Sequence, residues 1–144
     1  MTADVITTTG EDETVAAGER FARALVPGAV VMLYGQLGAG KTAFVRGLAR
    51  GLGAVDDLVS SPTFTIIQEY AGTGLTLYHV DLYRLEPKDV DDLGLDDLID
   101  GGGIVAIEWA ERWTGRPDDA IEVRIEDRGE DRREIRIDLP RGSS

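Results

Sequence analysis

The sequence has no cysteine, no asparagine and only two lysines among its 15 basic residues. The absence of cysteine excludes disulfide bonds and thiolate metal sites. No apolar run approaches the roughly 18 residues of a membrane-spanning helix, so we expect a cytoplasmic chain without membrane contact. With 144 residues, 42% of them hydrophobic, the chain can bury the core of one domain. We expect that single domain over residues 1–139 and a loose tail over residues 140–144.

Positive charge is also scarce. The chain has 27 acidic and 15 basic residues, which gives a formal net charge of −12. Half of this excess lies in residues 86–100, which contain seven acidic residues and one lysine. A surface this acidic repels the phosphates of nucleic acids and of anionic membranes. The composition therefore argues against a protein that holds nucleic acid through its own surface.

Apolar periodicity and turn residues predict an α/β domain. Residues 29–34 and 104–107 are continuous apolar runs, which are typical of strands buried on both faces. A helix is predicted from residue 11 to the stop at Pro27 and Gly28, and another over residues 42–52. Further strands are predicted at residues 5–9, 63–70, 75–82, 120–126 and 133–139, and short helices within residues 86–100. Turns at residues 71–74 and 128–131 would close antiparallel hairpins, so we expect a central mixed sheet.

The clearest motif is residues 35–42, GQLGAGKT, which match the G-x-x-x-x-G-K-[ST] pattern of the phosphate-binding loop, or Walker A motif. Such a loop surrounds phosphate oxygens with backbone N–H groups at a helix N-terminus, while Lys41 reaches the β- and γ-phosphates and Thr42 binds Mg²⁺. The alternative is a glycine-rich turn with a chance Lys-Thr pair; the strand before the motif and the helix after it favour nucleotide binding. We therefore predict a P-loop NTPase-like three-layer fold. The predicted nucleotide-binding residues of the loop are Gly35, Leu37, Gly38, Ala39, Gly40, Lys41, Thr42 and Ala43.

A magnesium site of this kind needs a further acidic residue, often where a strand ends. Glu108 follows the buried run 104–107, and Asp81 follows the alternating run 75–80. Because ligands gather at the carboxyl ends of strands in open α/β sheets, both carboxylates could face one Mg·ATP. The alternative for each is an exposed carboxylate at a strand end. We predict Lys41, Asp81 and Glu108 as catalytic residues.

Other residues are open to two interpretations. His79 is the only histidine, and a packed or hydrogen-bonded strand residue is its simplest interpretation. Trp109 and Trp113 are typical core anchors, although Trp109 adjoins Glu108 and could report on nucleotide. The Asn/Thr-Lys-x-Asp motif with which P-loop proteins usually recognise guanine is missing, because the second lysine lies in residues 86–89, EPKD. ATP is therefore favoured over GTP.

Four segments together resemble the TsaE family, small bacterial P-loop ATPases required to make N6-threonylcarbamoyladenosine in tRNA. The segments are residues 35–42 (GQLGAGKT), 59–64 (VSSPTF), 78–85 (YHVDLYRL) and 107–112 (IEWAER). They occur in the family's order, and the resemblance extends over roughly residues 10–139. The second and third segments are the specific ones, since the first is common elsewhere. Ala110 stands where the family often has proline.

This resemblance implies roles for individual residues. Thr42 and Glu108 would hold Mg²⁺, and Asp81 would contact the metal shell or position the attacking water. Residues 61–63, including Thr63, would form a switch-like loop that responds to the nucleotide. Glu11 and Arg133 are similar to nucleotide-contacting positions in the family.

The resemblance also implies partners and an activity. The chain would be a Mg-dependent ATPase with low intrinsic activity that depends on TsaD-like and TsaB-like proteins, and it would meet tRNA only indirectly, through their complex. Two alternatives stay open: a small P-loop kinase, and a non-catalytic adaptor whose partner affinity depends on bound nucleotide.

Overall fold

A computed structural model describes residues 3–35, 40–54 and 67–140. Within them, seven strands and four α-helices form a three-layer α/β fold, which confirms the predicted fold class. The strands are β1 (Ala3–Thr9), β2 (Val30–Tyr34), β3 (Ile67–Ala71), β4 (Thr76–Asp81), β5 (Ile104–Glu108), β6 (Ile121–Gly129) and β7 (Arg132–Asp138). The helices are α1 (Glu11–Ala22), α2 (Lys41–Gly51), α3 (Pro87–Val90) and α4 (Leu95–Asp100). Among the described residues, no helix is both long enough and apolar enough to cross a membrane.

The strands form one mixed sheet in the order β1-β7-β6-β2-β5-β4-β3. Its centre is parallel, because β2 pairs with β5 and β6, and β5 also pairs with β4. Antiparallel pairs complete both sides: β3 with β4, β6 with β7, and β1 with β7. Both predicted hairpins and the mixed sheet are thereby confirmed. The parallel centre brings the carboxyl ends of β2, β4 and β5 to one edge, where ligands bind in open α/β sheets.

The two apolar strands β2 and β5 separate two hydrophobic cores. On β2, Val31 and Leu33 pack into the core beneath α1 and α2. Val30 and Met32 alternate with them and pack on the opposite face, where α3 and α4 lie. Because both faces of such a strand are covered, its sequence is continuously apolar rather than alternating. This explains why the two runs could be recognised as central strands.

Helices α1 and α2 are in backbone contact through glycines. A Cβ atom added at Gly47 would overlap the carbonyl oxygen of Val15, and one added at Gly18 would overlap that of Phe44. The two helices therefore cross more closely than any side chain would allow. This crossing holds the N-terminal turn of α2 in place above the sheet edge.

Gly47→Ala should destabilise the fold by about 2–3 kcal/mol, because the added methyl group meets backbone that cannot move aside without separating the helices. Without that clash the change would be stabilising by about 0.5–1 kcal/mol, since alanine favours helices more than glycine does. The sign of the effect is therefore diagnostic. Urea unfolding of both chains measures it, and a Gly47→Ala chain more stable than the wild type would contradict the close crossing.

Helix α1 ends earlier than its apolar spacing predicts. The α-helix stops at Ala22, and the amides of Ala24 and Leu25 then donate to the carbonyls of Phe21 and Ala22 at 3.0 and 3.1 Å. These hydrogen bonds join residues three apart, as in a 3₁₀-helix, and they make the last turn tighter than an α-helical turn. Leu25 is still buried in the core next to this helix. The apolar spacing thus marks the packed face correctly, but it does not mark the end of the helix.

Candidate nucleotide-binding site

A cavity of about 390 Å³ opens at the N-terminal ends of α1 and α2, beside the end of β5. Its volume lies within the range of small-molecule sites, about 300–1,000 Å³. Seven of the residues predicted from sequence line it: Glu11, Gly40, Lys41, Thr42, Ala43, Glu108 and Arg133. Gly10, Thr14 and Asp131 line it as well and were not predicted. Segments far apart in sequence therefore converge on one cavity.

The start of α2 gives this cavity its positive end. Gly40 precedes the helix in the left-handed region, with φ at 114°, a conformation that suits glycine. Among the described residues, no side chain caps the helix, and its first turn contains no acidic residue. The N–H groups of this turn and the positive end of the helix dipole therefore face the cavity without a neutralising carboxylate from the helix itself. That arrangement suits a phosphate group.

Lys41 and Glu108 form an ion pair inside the site. The Nζ atom of Lys41 lies 3.3 Å from Oε1 of Glu108, and the two side chains are only 12% and 9% exposed. A buried ammonium group needs a negative partner, and in this structure Glu108 is that partner. A phosphate at the α2 N-terminus would compete with Glu108 for the same ammonium group. Two of the three residues that the sequence predicts to be catalytic are therefore in direct contact.

Glu108 also accepts a hydrogen bond from a residue that was not predicted for the site. The Nε2 atom of His79 lies 2.8 Å from Oε2 of Glu108, and the imidazole is fully buried. In the β4–β5 register, His79 lies opposite Ala106, and Asp81 lies opposite Glu108. The small Ala106 leaves space for the imidazole on the face that Glu108 shares. The interpretation of His79 as a hydrogen-bonded strand residue is confirmed, but its partner could not be identified without the register.

The contacts of Glu108 determine its charge. Burial raises the pKa of Glu108, but the hydrogen bond and charge of His79 and the charge of Lys41 outweigh burial and hold the pKa below its ordinary value. Glu108 is therefore a carboxylate at neutral pH. Its oxygens can accept hydrogen bonds or bind a cation, but they cannot donate a proton.

Asp81 stands beside this group without lining the cavity formed by the described residues. Its Oδ1 atom accepts a hydrogen bond from the Tyr83 N–H at 2.9 Å, and its side chain is half-buried. Together with Thr42 and Glu108, it supplies the hard oxygen donors that Mg²⁺ prefers. In the described part of the chain, no cluster of three histidine, cysteine or acidic residues could hold a metal alone. The donor set fits Mg²⁺ that takes its remaining ligands from phosphates and water.

The other predicted residues lie elsewhere or at the rim. Gly35 lies at a second cavity of about 330 Å³ beside β6. Glu11 pairs with Arg46 of α2, and Arg133 pairs with Asp127 at 3.1 Å, so both side chains are held at the rim of the first cavity. Contact of Glu11 and Arg133 with a nucleotide stays a prediction. Leu37, Gly38, Ala39 and the predicted switch residue Thr63 lie outside the described residues.

The two tryptophans have different environments. Trp113 is buried, as a core anchor should be, but Trp109 is 40% exposed, so the core interpretation is wrong for Trp109. Its backbone is left-handed, with φ at 63°, directly after Glu108. Its ring lies 4.9 Å from the Tyr83 ring, and the guanidinium group of Arg112 lies 5.7 Å from the Trp109 ring. Trp109 is therefore a surface residue coupled through the backbone to Glu108.

Trp109 fluorescence should change when Mg·ADP binds, because Glu108 must then exchange Lys41 for a new partner and Trp109 follows it in the chain. The Trp109→Phe variant should lose the response and keep the emission of the buried Trp113. Titration of nucleotide into both chains measures this. A fluorescence response that survives in Trp109→Phe would show that Trp113 senses the site instead, from the core on the other side of the sheet from α2.

Known proteins match this chain over most of its length. The model of the family described as "Threonylcarbamoyl adenosine biosynthesis protein TsaE" matches residues 8–135. A protein of Bacillus subtilis (strain 168) named "tRNA threonylcarbamoyladenosine biosynthesis protein TsaE" is 44% identical over 129 residues, covering 89% of this chain and 80% of that protein. A protein of the same name from Treponema pallidum is 41% identical, covering 87% of this chain and 93% of its own.

A solved structure agrees with the sequence matches. The crystal structure of Bacillus subtilis YdiB superposes with a TM-score of 0.76 at 37% identity, covering 96% of this chain and 86% of that one. The structural similarity therefore extends over nearly the whole chain.

Proposed function

This chain belongs to the TsaE family, and on that premise we propose that it is an ATP-hydrolysing subunit that supports the formation of N6-threonylcarbamoyladenosine in tRNA. The observation that carries the proposal is the ion pair between Lys41, at the start of α2, and Glu108, at the end of β5. The pair lies in a cavity of nucleotide size, at the positive end of a helix. This location supports the proposal, because phosphoryl transfer uses a lysine and a carboxylate where phosphate and metal would bind.

The residues of the site divide the chemistry between them. Lys41 would leave Glu108 for the β- and γ-phosphates, and the N–H groups at the start of α2 would hold phosphate oxygens. Thr42 and Glu108 would hold Mg²⁺, which neutralises phosphate charge when bound. Asp81, which is adjacent to Glu108 and half-buried, would orient the attacking water. ATP rather than GTP is proposed because the sequence lacks the guanine-recognition motif.

The charge of the chain supports a role inside a larger assembly. With a net charge of −12, it is poorly suited to bind tRNA by itself. Seven acidic residues lie in the segment that contains α3 and α4, and all seven are exposed. We propose TsaD-like and TsaB-like proteins as the partners, with tRNA reached only through them. A cytoplasmic location stays a prediction.

Reconstitution with the TsaD-like and TsaB-like proteins of the same organism tests this function. Gel filtration should show one complex whose stability differs between ATP and ADP, and single-turnover ATP hydrolysis should be slow for the chain alone and faster in the complex. A complex that depends on nucleotide but shows no hydrolysis would indicate the adaptor. Transfer of phosphate to a small-molecule acceptor would indicate the kinase. Absence of any complex with either nucleotide would contradict the proposal.

A further inference from the structure

The two carboxylate oxygens of Glu108 have different kinds of partner. Oε1 contacts the ammonium group of Lys41 at 3.3 Å, and Oε2 accepts from the imidazole of His79 at 2.8 Å. The lysine side chain is long and flexible, and it lines the cavity. The imidazole has two rotatable bonds and is fully buried. One contact can therefore exchange, while the other is held by its surroundings.

The fold fixes the position of His79 from both sides. Its strand β4 lies between β3 and β5, and the residue pairs with Gln68 on one side and Ala106 on the other. Its backbone is therefore part of two strand pairings, and its side chain has no exposed surface. A ring in this position has little freedom to follow a carboxylate that moves. Oε2 of Glu108 is accordingly held where the sheet places it.

The position of the hydrogen on the His79 ring follows from the contact with Glu108. An ionised carboxylate can only accept, so Nε2 must carry the hydrogen. The other ring nitrogen, Nδ1, is buried and has no hydrogen-bond partner among the described residues. A leucine would fill similar space without burying an unpaired polar atom. The hydrogen bond to Glu108 is thus the interaction that an imidazole makes at this position and a leucine cannot make.

We propose that His79 is a positioning residue, which holds Oε2 of Glu108 so that Oε1 alone exchanges between the Lys41 ammonium group and a metal ion bound with nucleotide. The inference rests on the proposed function, since it assumes a nucleotide and Mg²⁺ in the cavity. It adds a task for a residue that touches neither. Loss of His79 should leave phosphate binding by α2 and Lys41 in place and weaken the contribution of the metal.

The single histidine of the chain makes a direct test possible. In ¹⁵N NMR of the untagged wild-type protein, the one imidazole should carry its hydrogen on Nε2, and its Nε2 resonance should shift in Glu108→Gln. It should keep the Nε2 hydrogen after Mg·ADP is added. An imidazole with hydrogen on Nδ1 only, or one unaffected by Glu108→Gln, would overturn the inference. This measurement on the free protein needs no nucleotide, so it decides the His79 contact even if the proposed function fails.

Paired variants test the effect on the metal. His79→Gln keeps an N–H near the Nε2 position, and His79→Leu removes it. Calorimetry measures the affinity for ADP in EDTA and in excess Mg²⁺. The ratio of the two affinities is the factor by which Mg²⁺ strengthens ADP binding. In His79→Gln we expect this factor to stay within about threefold of the wild-type value. In His79→Leu we expect it to fall at least about tenfold, while the ADP affinity in EDTA changes little.

Val80→Ala is the matched control, because Val80 is equally buried on the same strand but belongs to the opposite core. It should lower the melting temperature without changing the Mg²⁺ effect. The inference is overturned if His79→Leu retains the full Mg²⁺ effect, if His79→Gln loses as much as His79→Leu, or if Val80→Ala loses it too. It is also overturned if Mg²⁺ does not tighten ADP binding to the wild-type chain. A wild-type chain that binds no nucleotide at all would instead contradict the proposed function.

Discussion

Lys41→Ala is expected to lower ATP hydrolysis in the assembled complex by about 1,000-fold, which corresponds to about 4 kcal/mol of transition-state stabilisation. The lysine is the cation that the structure places at the start of α2 inside the cavity, and its removal also leaves Oε1 of Glu108 without its present partner. An unpaired carboxylate at this position opposes the approach of phosphate. Nucleotide affinity should therefore fall together with the hydrolysis rate. Calorimetry and single-turnover hydrolysis measure the two effects.

Lys88→Ala is the matched control for this experiment. It removes the only other lysine and makes the same change in net charge, but its side chain is 78% exposed and lies on α3. It should leave binding and hydrolysis unchanged. If Lys41→Ala and Lys88→Ala gave equal rates, the assignment of residues 35–42 as the phosphate-binding loop would be wrong.

Glu108→Gln should separate hydrolysis from binding. The change keeps the size of the side chain and removes the negative charge that faces Lys41 and the proposed metal position. Hydrolysis should fall by about 1,000-fold, while nucleotide affinity falls far less, because Lys41 and the N–H groups of α2 remain. Asp81→Asn should act in the same direction, with a smaller effect, since Asp81 lies beside the cavity that the described residues form and does not line it.

Glu111→Gln provides the comparison. It changes the same residue type three positions later, at an exposed side chain in the turn Ala110–Arg112. Hydrolysis by this variant should equal that of the wild type when the partner proteins are present. Full hydrolysis by Glu108→Gln, under conditions in which Lys41→Ala is inactive, would remove Glu108 from the mechanism and leave the phosphate-binding assignment intact.

The parts of the fold that the sequence predicts are those with a local pattern. Residues 29–34 and 104–107 are apolar without interruption because β2 and β5 are covered on both faces. Gly40 marks the start of α2 because its backbone is left-handed. The position of Glu108 followed from the same logic, since a charged residue directly after a buried strand lies at the sheet edge. In each case one short segment contains the physical cause.

The parts that could not be predicted depend on segments distant in sequence. The contact between His79 and Glu108 requires β4 and β5 to pair in one particular register, and neither strand specifies that register by itself. Glu11 and Arg133 were predicted for the site only through the family resemblance, because their convergence on one cavity depends on β1 and β7 pairing at the edge of the sheet. Trp109 is exposed although its residue type favours burial, and its left-handed backbone accompanies that exposure. Only the assembled sheet determines these positions.

The amount of N6-threonylcarbamoyladenosine in tRNA tests the central claim most directly. Nucleoside mass spectrometry of bulk tRNA, from a host strain depleted of this protein, should show a clear loss of the modified base. The wild-type gene and Lys88→Ala should restore it, and Lys41→Ala should not. A normal level in the depleted strain, with no second copy of the gene present, would contradict the proposed role in tRNA modification. Restoration by Lys41→Ala would contradict the dependence of that role on the nucleotide site.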